Sequence, residues 1–368
     1  MKVNVDLSSA NNIGTGICTF ENEIVMRLAQ FSDFELYGAT NYRRNKITRD
    51  FERFSFPTKY SMIPYKMVYN KKIPINYEFM IGNNANVNLF CTYNLPLVNY
   101  KKPVVSTIHD LILQKARTED ASVIEAYEKK VQHAIKVSDH ILTVSNATKT
   151  DLMNDYGLKE SDITVVYNGV VFDNYNTAIA LEHRKNIKRK YNLPDRFFLY
   201  FGANRKHKNI SSIIRAYALL PADMKSEVKL VITNKSGDLI SLAKSLGVES
   251  DIVFTGFIDE EDKVGLYQMA EVSVFVSYYE GFGIPVIESM AAGTPVITSN
   301  TSSLPEAAGA AGILVNPYSV EEISEAMNKI ISDKDLYLKL KKMGIEHSQN
   351  FSWDKSAEAV RKVLKKYK

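Results

Sequence analysis

The 368-residue chain is short of the features that mark several protein classes. Its two cysteines, Cys18 and Cys91, are far apart and lack metal-ligand spacing, so they read as reduced thiols of a cytosolic protein. No run of 18 or more apolar residues occurs, which removes a transmembrane helix. The opening MKVNVDLSSANN alternates like a strand and lacks the apolar stretch of a secretory signal. His133, His140, His183, His207 and His347 show no ligand spacing. Asp333-Lys334-Asp335 falls between two expected helices, where it reads as helix termination and capping. No metal is implied. Repeats, heptads and low-complexity tracts are also missing, and a net charge of +4 is too small to imply nucleic acid.

What is present is an ordinary globular composition, 45% hydrophobic and 24% charged, in a chain too long for one core. Strands are expected at 2–6, 34–39, 87–91, 103–108, 139–144 and 162–167, with helices at 14–31, 118–137 and 146–156. Residues 40–86, broken by Pro57, Pro64 and Pro74, read as loops with short helices. The second half is more regular. FFLYFGA, VKLVIT, DIVFTG, VSVFVS, TPVITS and AGILV are short apolar runs, mostly separated by helical segments, the pattern of a parallel sheet covered on both faces. The expected fold is α/β, two doubly wound Rossmann-like domains facing a deep cleft that takes the ligand. The first domain spans 1–172, a polar linker about 173–186, and the second domain 187–349. The basic amphipathic end, 350–368, caps the second domain or packs back on the first.

Charge is unevenly spread. Between Arg43 and Lys72 there are nine basic residues against two acidic ones, interleaved with Phe51, Phe54, Phe56, Tyr60, Tyr65 and Tyr69. Such a window is a solvated face with some aromatics turned inward, or a surface for anionic lipid or a lipid-phosphate acceptor. Nucleic acid would use the same chemistry, but the modest total charge does not favour it.

The densest chemistry lies at 278–299, YYEGFGIPVIESMAAGTPVITS. A strand ends at Glu280-Gly281-Phe282-Gly283, and a helix is expected near Ile284 with Pro285 in its first turn. The glycines allow close approach, and the helix start offers free N–H donors. Glu280 and Glu288 can flank one ligand and accept from sugar and ribose hydroxyls. Alternatively, Glu280 is solvated and Glu288 balances the helix dipole. Arg205 and Lys208 sit where another strand meets a helix, either as a solvated loop or as an anion clamp. His109-Asp110 follows strand 104–108 at its carboxyl end. There His109 donates to a sugar hydroxyl, or bonds a backbone carbonyl while Asp110 caps the next turn. Gly14-Thr15-Gly16 is a turn or a phosphate-facing loop. The third glycine of a dinucleotide fingerprint is missing, which argues against a nicotinamide enzyme.

Glu-x7-Glu in the form EGFGIPVIE, followed by MAAGTPVI, resembles the retaining glycosyltransferases of family 4, which have the GT-B fold. The resemblance extends along the chain through GTGICTFENEIVMRLA, PVVSTIHDL, VSNATKTDL, ITVVYNGVV, YFGANRKHKN, VFTGFI and FSWDKSAEAV. It implies a hexosyltransferase using a nucleoside-diphosphate sugar (GDP-mannose, or a UDP- or dTDP-sugar), without metal or other cofactor. The implied acceptor is a glycan or lipid-linked saccharide in capsule, O-antigen or exopolysaccharide assembly, at the inner face of the cell membrane.

By the same resemblance Glu280 contacts donor-sugar hydroxyls and Glu288 holds the ribose. Amides of Gly281, Phe282, Gly283 and Ile284 bind sugar and phosphate oxygens, and Gly256, Phe257 and Ile258 meet the base. Lys208 clamps the diphosphate, His109 contacts the sugar, and Gly14 and Gly16 belong to the glycine loop. Many members carry an arginine where this chain has Ala203, and Arg205 is the substitute on hand. Two other readings stay open: a nucleotide-sugar epimerase or hydrolase of the same fold, and a non-catalytic nucleotide-sugar-binding partner.

Overall fold

The computed structural model describes residues 1–10, 15–41, 54–61, 63 and 65–368. The chain divides into two compact units, Met1–Asn168 with Trp353–Lys368, and Gly169–Ser352.

Among the described residues the first unit has seven strands: β1 (Lys2–Asp6), β2 (Glu35–Asn41), β3 (Thr58–Ser61), β4 (Val87–Phe90), β5 (Val104–Ile108), β6 (His140–Thr143) and β7 (Ile163–Val165). They pair in parallel in the order β3-β2-β1-β4-β5-β6-β7. All residues of β4, β5 and β6 are buried, as expected for strands covered on both faces. β3 lies in the stretch expected to hold only loops and short helices. Its sequence, TKYS, has no aliphatic residue to betray it, and among the described residues it is an edge strand pairing only with β2. Gly38 of β2 makes that pairing possible. A Cβ there would stand 2.6 Å from Thr58 Cγ2 and 2.7 Å from Leu7 Cδ1.

The helix Gly16–Leu28 starts where the Thr15 hydroxyl accepts from the Cys18 amide. It buries Phe20, Ile24 and Leu28, one face at four-residue spacing. Against it packs the helix Trp353–Leu364, with Phe20 and Trp353 ring centres 6.2 Å apart and Arg27 Nε 2.7 Å from Asp354. Arg361 adds a two-pronged hold on Asp33, at 3.1 and 2.9 Å. These contacts place the end of the chain in the first unit.

The second unit carries β8 (Phe197–Tyr200), β9 (Lys229–Ile232), β10 (Ile252–Phe254), β11 (Val272–Phe275), β12 (Val296–Ser299) and β13 (Gly312–Val315). They form one parallel sheet in the order β10-β9-β8-β11-β12-β13. The strand order reverses between β8 and β11, the place where open α/β sheets bind ligands beyond the carboxyl ends. Residues 173–186, expected as a linker, lie inside this unit and contribute to the helices Phe172–Asn176 and Leu181–Lys190. The second of these buries only Ile187, so it shows little apolar periodicity. Gly265 accommodates it: a Cβ there would meet Ile187 Cδ1 at 2.3 Å and Ile179 Cδ1 at 2.7 Å.

Candidate active site

At the reversal in the second unit, two loops leave neighbouring strand ends. The loop after β8 carries Ala203 to Lys208, and the loop after β11 carries Glu280 to Gly283. Lys208 Nζ lies 2.8 and 2.9 Å from the two oxygens of Glu280 and 4.9 Å above the Phe275 ring. Both side chains are largely buried, so Glu280 is not the solvated acid of the alternative reading. Asn209 is the pin. Its φ of +56° turns its amide inward, where Nδ2 donates to Val276 O at 3.1 Å and Pro317 O at 2.7 Å. Tyr278 N donates to His207 O at 2.8 Å, closing the two loops on each other.

The Glu280 loop is held from a third side by the segment after β12. Glu280 N donates to Ser302 Oγ at 3.0 Å, and Ser303 Oγ donates to Glu280 O at 2.9 Å and Phe282 O at 2.8 Å. Gly283 has φ +119°, and a Cβ would come within 2.8 Å of Leu304 Cδ2. From Gly283 the helix Ile284–Ala291 begins, with Pro285 in its first turn. Among the described residues, no hydrogen bond engages the amides of Gly281, Gly283 and Ile284. A braced, glycine-rich helix start with open donors can take oxygens of an anionic ligand.

Glu288, one turn on, is buried and does more than balance a helix dipole. It accepts from Tyr175 Oη at 2.6 Å, Lys263 Nζ at 3.0 Å and Tyr267 Oη at 3.2 Å. Burial first, and then the Glu288 charge, push both phenols' pKa values up, so both remain donors. Burial pulls the Lys263 ammonium down, but Glu288 and Glu260 outweigh it and hold it above its ordinary value. Elsewhere, Gly256 turns at φ +77° into open space, Phe257 is 85% exposed, and Ile258 is buried. Arg205 is exposed and forms no ion pair among the described residues.

In the first unit His109 is buried at the end of β5. Its Nε2 meets Cys91 O at 2.9 Å, and Phe20 stands edge-on at 5.0 Å. Asp110 accepts from the Ile112 amide at 3.0 Å. This is the carbonyl-bonded, turn-capping arrangement weighed above, and it leaves Nδ1 as the ring's remaining polar atom. Burial holds the imidazole's pKa down to about 4, against a weaker upward pull from the Cys91 bond. Gly16 opens the first helix, while Gly14 lies outside the described residues. So do Arg43, Arg44, Lys46, Arg49 and Arg53 of the basic window.

Asp333 caps the helix Lys334–Ser348 by accepting from Leu336 N at 2.9 Å. Among the described residues, the one acidic group close enough to consider for a metal is Asp259, Glu261 and Asp262. Lys190 already sits there, 2.6 Å from Asp259 and 2.5 Å from Asp262.

A family model described as glycosyl transferases group 1 matches residues 183–347, and one described as glycosyltransferase family 4 matches residues 39–174. The chain belongs to glycosyltransferase family 4. Within that family it is 32% identical over 276 residues to the serotype-specific mannosyltransferase WbdA of Escherichia coli. The match takes in 72% of this chain but only 34% of WbdA, so the chain spans about a third of that relative's length. The O-antigen chain mannosyltransferase B of Escherichia coli is 28% identical, over 71% of this chain and 70% of its own. A structure of HepE from Anabaena, in complex with UDP and glucose, superposes with a TM-score of 0.76 at 16% identity, over the whole of both chains. That likeness establishes the GT-B fold.

The family 4 chain's site includes residues that sequence reasoning passed over. Tyr175 was hidden in the presumed linker, and Lys263 and Tyr267 lie on the helix Glu260–Met269. Ser302, Ser303 and Asn209 act through backbone contacts that leave no spacing to read.

Proposed function

We propose that this family 4 chain is a retaining hexosyltransferase. It moves a hexose, mannose in preference, from a nucleoside-diphosphate sugar to a glycan or lipid-linked acceptor in surface polysaccharide assembly. The observation that carries the reading is the Lys208–Glu280 pair at the strand reversal, beside three open amides and eight residues before Glu288. The preference for mannose leans on the two mannosyltransferase relatives, and the nucleoside-diphosphate donor on the UDP complex of HepE.

In this reading the diphosphate takes Lys208 from Glu280 and collects the amides of Gly281, Phe282, Gly283 and Ile284. Glu280, released, accepts from hydroxyls of the sugar, and Glu288 accepts from those of the ribose. The loop at Gly256, Phe257 and Ile258 meets the base. As the bond from the anomeric carbon to the diphosphate breaks, negative charge grows on the leaving oxygen, where Lys208, Arg205 and fixed dipoles stabilise it. The acceptor oxygen attacks the same face, and its proton passes to the departing phosphate, so no protein nucleophile is needed. His109, neutral at physiological pH, serves as a hydrogen-bond partner for a sugar hydroxyl and not as an acid. With the leaving charge met by protein groups, turnover is expected to persist in EDTA, and its loss would overturn the metal-free part. The basic window 43–72 is proposed to rest on anionic lipid at the inner membrane face, with flotation that weakens as salt rises.

The experiment is transfer from GDP-mannose, UDP-glucose and a dTDP-hexose to a panel of lipid-linked and free glycans, with the anomeric configuration of the product read by NMR. Acceptor-dependent product with the donor's configuration supports the reading. Inversion, or donor consumption indifferent to acceptor, refutes it.

A further inference from the structure

A pocket of about 450 Å³ opens in the first unit, at the opposite end of its sheet from His109. Asn99 and Tyr100 come just before β5, and His133 to Val137 just before β6, so the pocket lies at the amino ends of those strands. Its apolar lining includes Leu97 and Val137, and its polar lining is Lys72, Asn99, His133 and Lys136.

The backbone fixes this lining. Ile73 N donates to Leu97 O at 3.0 Å, Asn99 N to Ile75 O at 2.8 Å, and Tyr77 N to Asn99 O at 2.8 Å. This short ladder sets Lys72 beside the segment that precedes β5. The C-terminal end of the helix Ala121–Val137 supplies His133 and Lys136. His133 Nε2 is tied to Pro96 O at 3.2 Å. Burial lowers the imidazole's pKa, and Lys136 and Lys72 lower it further, so both ammonium groups act on the same small space.

Among the described residues that charge has no counterion: no acidic side chain lines the pocket, and neither Lys72 nor Lys136 forms an ion pair. The carboxylate of Glu78 is committed to the amides of Lys101 and Lys102 and to Asn88. Elsewhere many lysines are paired, among them Lys115, Lys190, Lys208, Lys229 and Lys263. Two uncompensated ammonium groups around one concavity focus a positive field, and lysine is well suited to phosphate as a point charge.

We infer that this pocket binds a phosphate ester, with Lys72 and Lys136 on the phosphate and Asn99 and His133 on hydroxyls of the esterified polyol. The site is separate from the proposed donor seat, and the inference does not rest on the transfer reading. A soluble polyol phosphate and a phospholipid headgroup share the chemistry it needs.

The test is calorimetric titration of the full chain with sn-glycerol 3-phosphate at constant ionic strength, with the His133 ring followed by NMR. Saturable one-to-one binding that moves the His133 resonances is expected. It should weaken at least tenfold in Lys72→Ala/Lys136→Ala and survive in Lys72→Arg/Lys136→Arg. No binding beyond a sodium chloride control, or binding undiminished in the alanine pair, would overturn the inference. Flotation with phosphatidylglycerol vesicles then separates the sources. If the vesicles displace sn-glycerol 3-phosphate from the chain, the ester is a lipid headgroup; if they float the chain without displacing it, as the basic window alone would do, it is a free phosphate.

Discussion

Lys208 and Glu280, 72 residues apart in sequence, meet at 2.8 and 2.9 Å over the carboxyl ends of β8 and β11. A cation and an acceptor thus neutralise each other at the place where the sheet's strand order reverses. An anionic, hydroxyl-bearing ligand offers each a better partner: phosphate for the ammonium and hydroxyls for the carboxylate. The pair is a seat that stays charge-balanced until it is filled.

Lys208→Ala should therefore lower kcat by about 100- to 1000-fold, the usual cost of losing one group that meets developing charge. Lys208→Arg, which keeps the charge but changes its geometry, should recover part of that loss. Steady-state kinetics well below the melting temperature are the check. Unchanged turnover in the alanine variant would remove Lys208 from the clamp.

The ring of donors around Glu288 predicts a different profile. Tyr175→Phe deletes the 2.6 Å bond and should cost about 1.5–3 kcal/mol of stability, as for hydrogen bonds to charged groups. Lys263→Met leaves a largely buried carboxylate without its cation and should cost more, about 3–5 kcal/mol. In both, KM for the donor should rise more than kcat falls, because Glu288 is assigned to binding the ribose. Urea unfolding paired with donor titrations measures the two effects separately.

Two glycines give an internal comparison. Gly283→Ala combines a φ of +119° with a Cβ 2.8 Å from Leu304 Cδ2, whereas Gly256→Ala at φ +77° faces open space. The first should cost about 2–4 kcal/mol and impair donor binding, and the second about 1–2 kcal/mol. Equal losses of stability would show that backbone conformation, and not crowding at the helix start, sets the cost.

Two buried histidines give the stability a pH signature. His109 and His140 are held neutral, each with its pKa lowered by burial to about 4. The unfolded chain takes up protons near the ordinary value of about 6.5 while the folded chain does not. Stability is therefore fully present above that value and falls as pH drops from about 6.5 towards 4, by up to about 1.4 kcal/mol per pH unit for each ring. Chemical denaturation across pH 4.5–8 should show this slope, and His109→Asn should reduce it while leaving the shares of His140 and of His133 and His347, whose pKa values burial also lowers.

Much of the fold was legible because parallel strands buried on both faces must be apolar runs, as in FFLYFGA and VSVFVS. The strand–turn–helix at Glu280–Ile284 was legible for a related reason, since Gly283 and Pro285 mark a backbone that other residues fit poorly. The strand Thr58–Ser61 was not, because an edge strand can be held by backbone pairing beside Gly38 without aliphatic side chains. Nor was the role of Tyr175. Polar residues around it suggested a linker, and only folding reveals that its hydroxyl reaches Glu288, 113 residues away. The partners of Glu280 were equally silent, since Ser302 and Ser303 act through single hydroxyls on backbone atoms.

The most direct measurement is a crystal structure of the chain with whichever nucleotide sugar raises its melting temperature most, since stabilisation follows affinity. The account predicts the diphosphate against Lys208 and the amides of Gly281, Gly283 and Ile284, with Glu280 turned from Lys208 to the sugar hydroxyls and Glu288 on the ribose. A nucleotide sugar seated elsewhere, with Lys208 and Glu280 still joined, would contradict it.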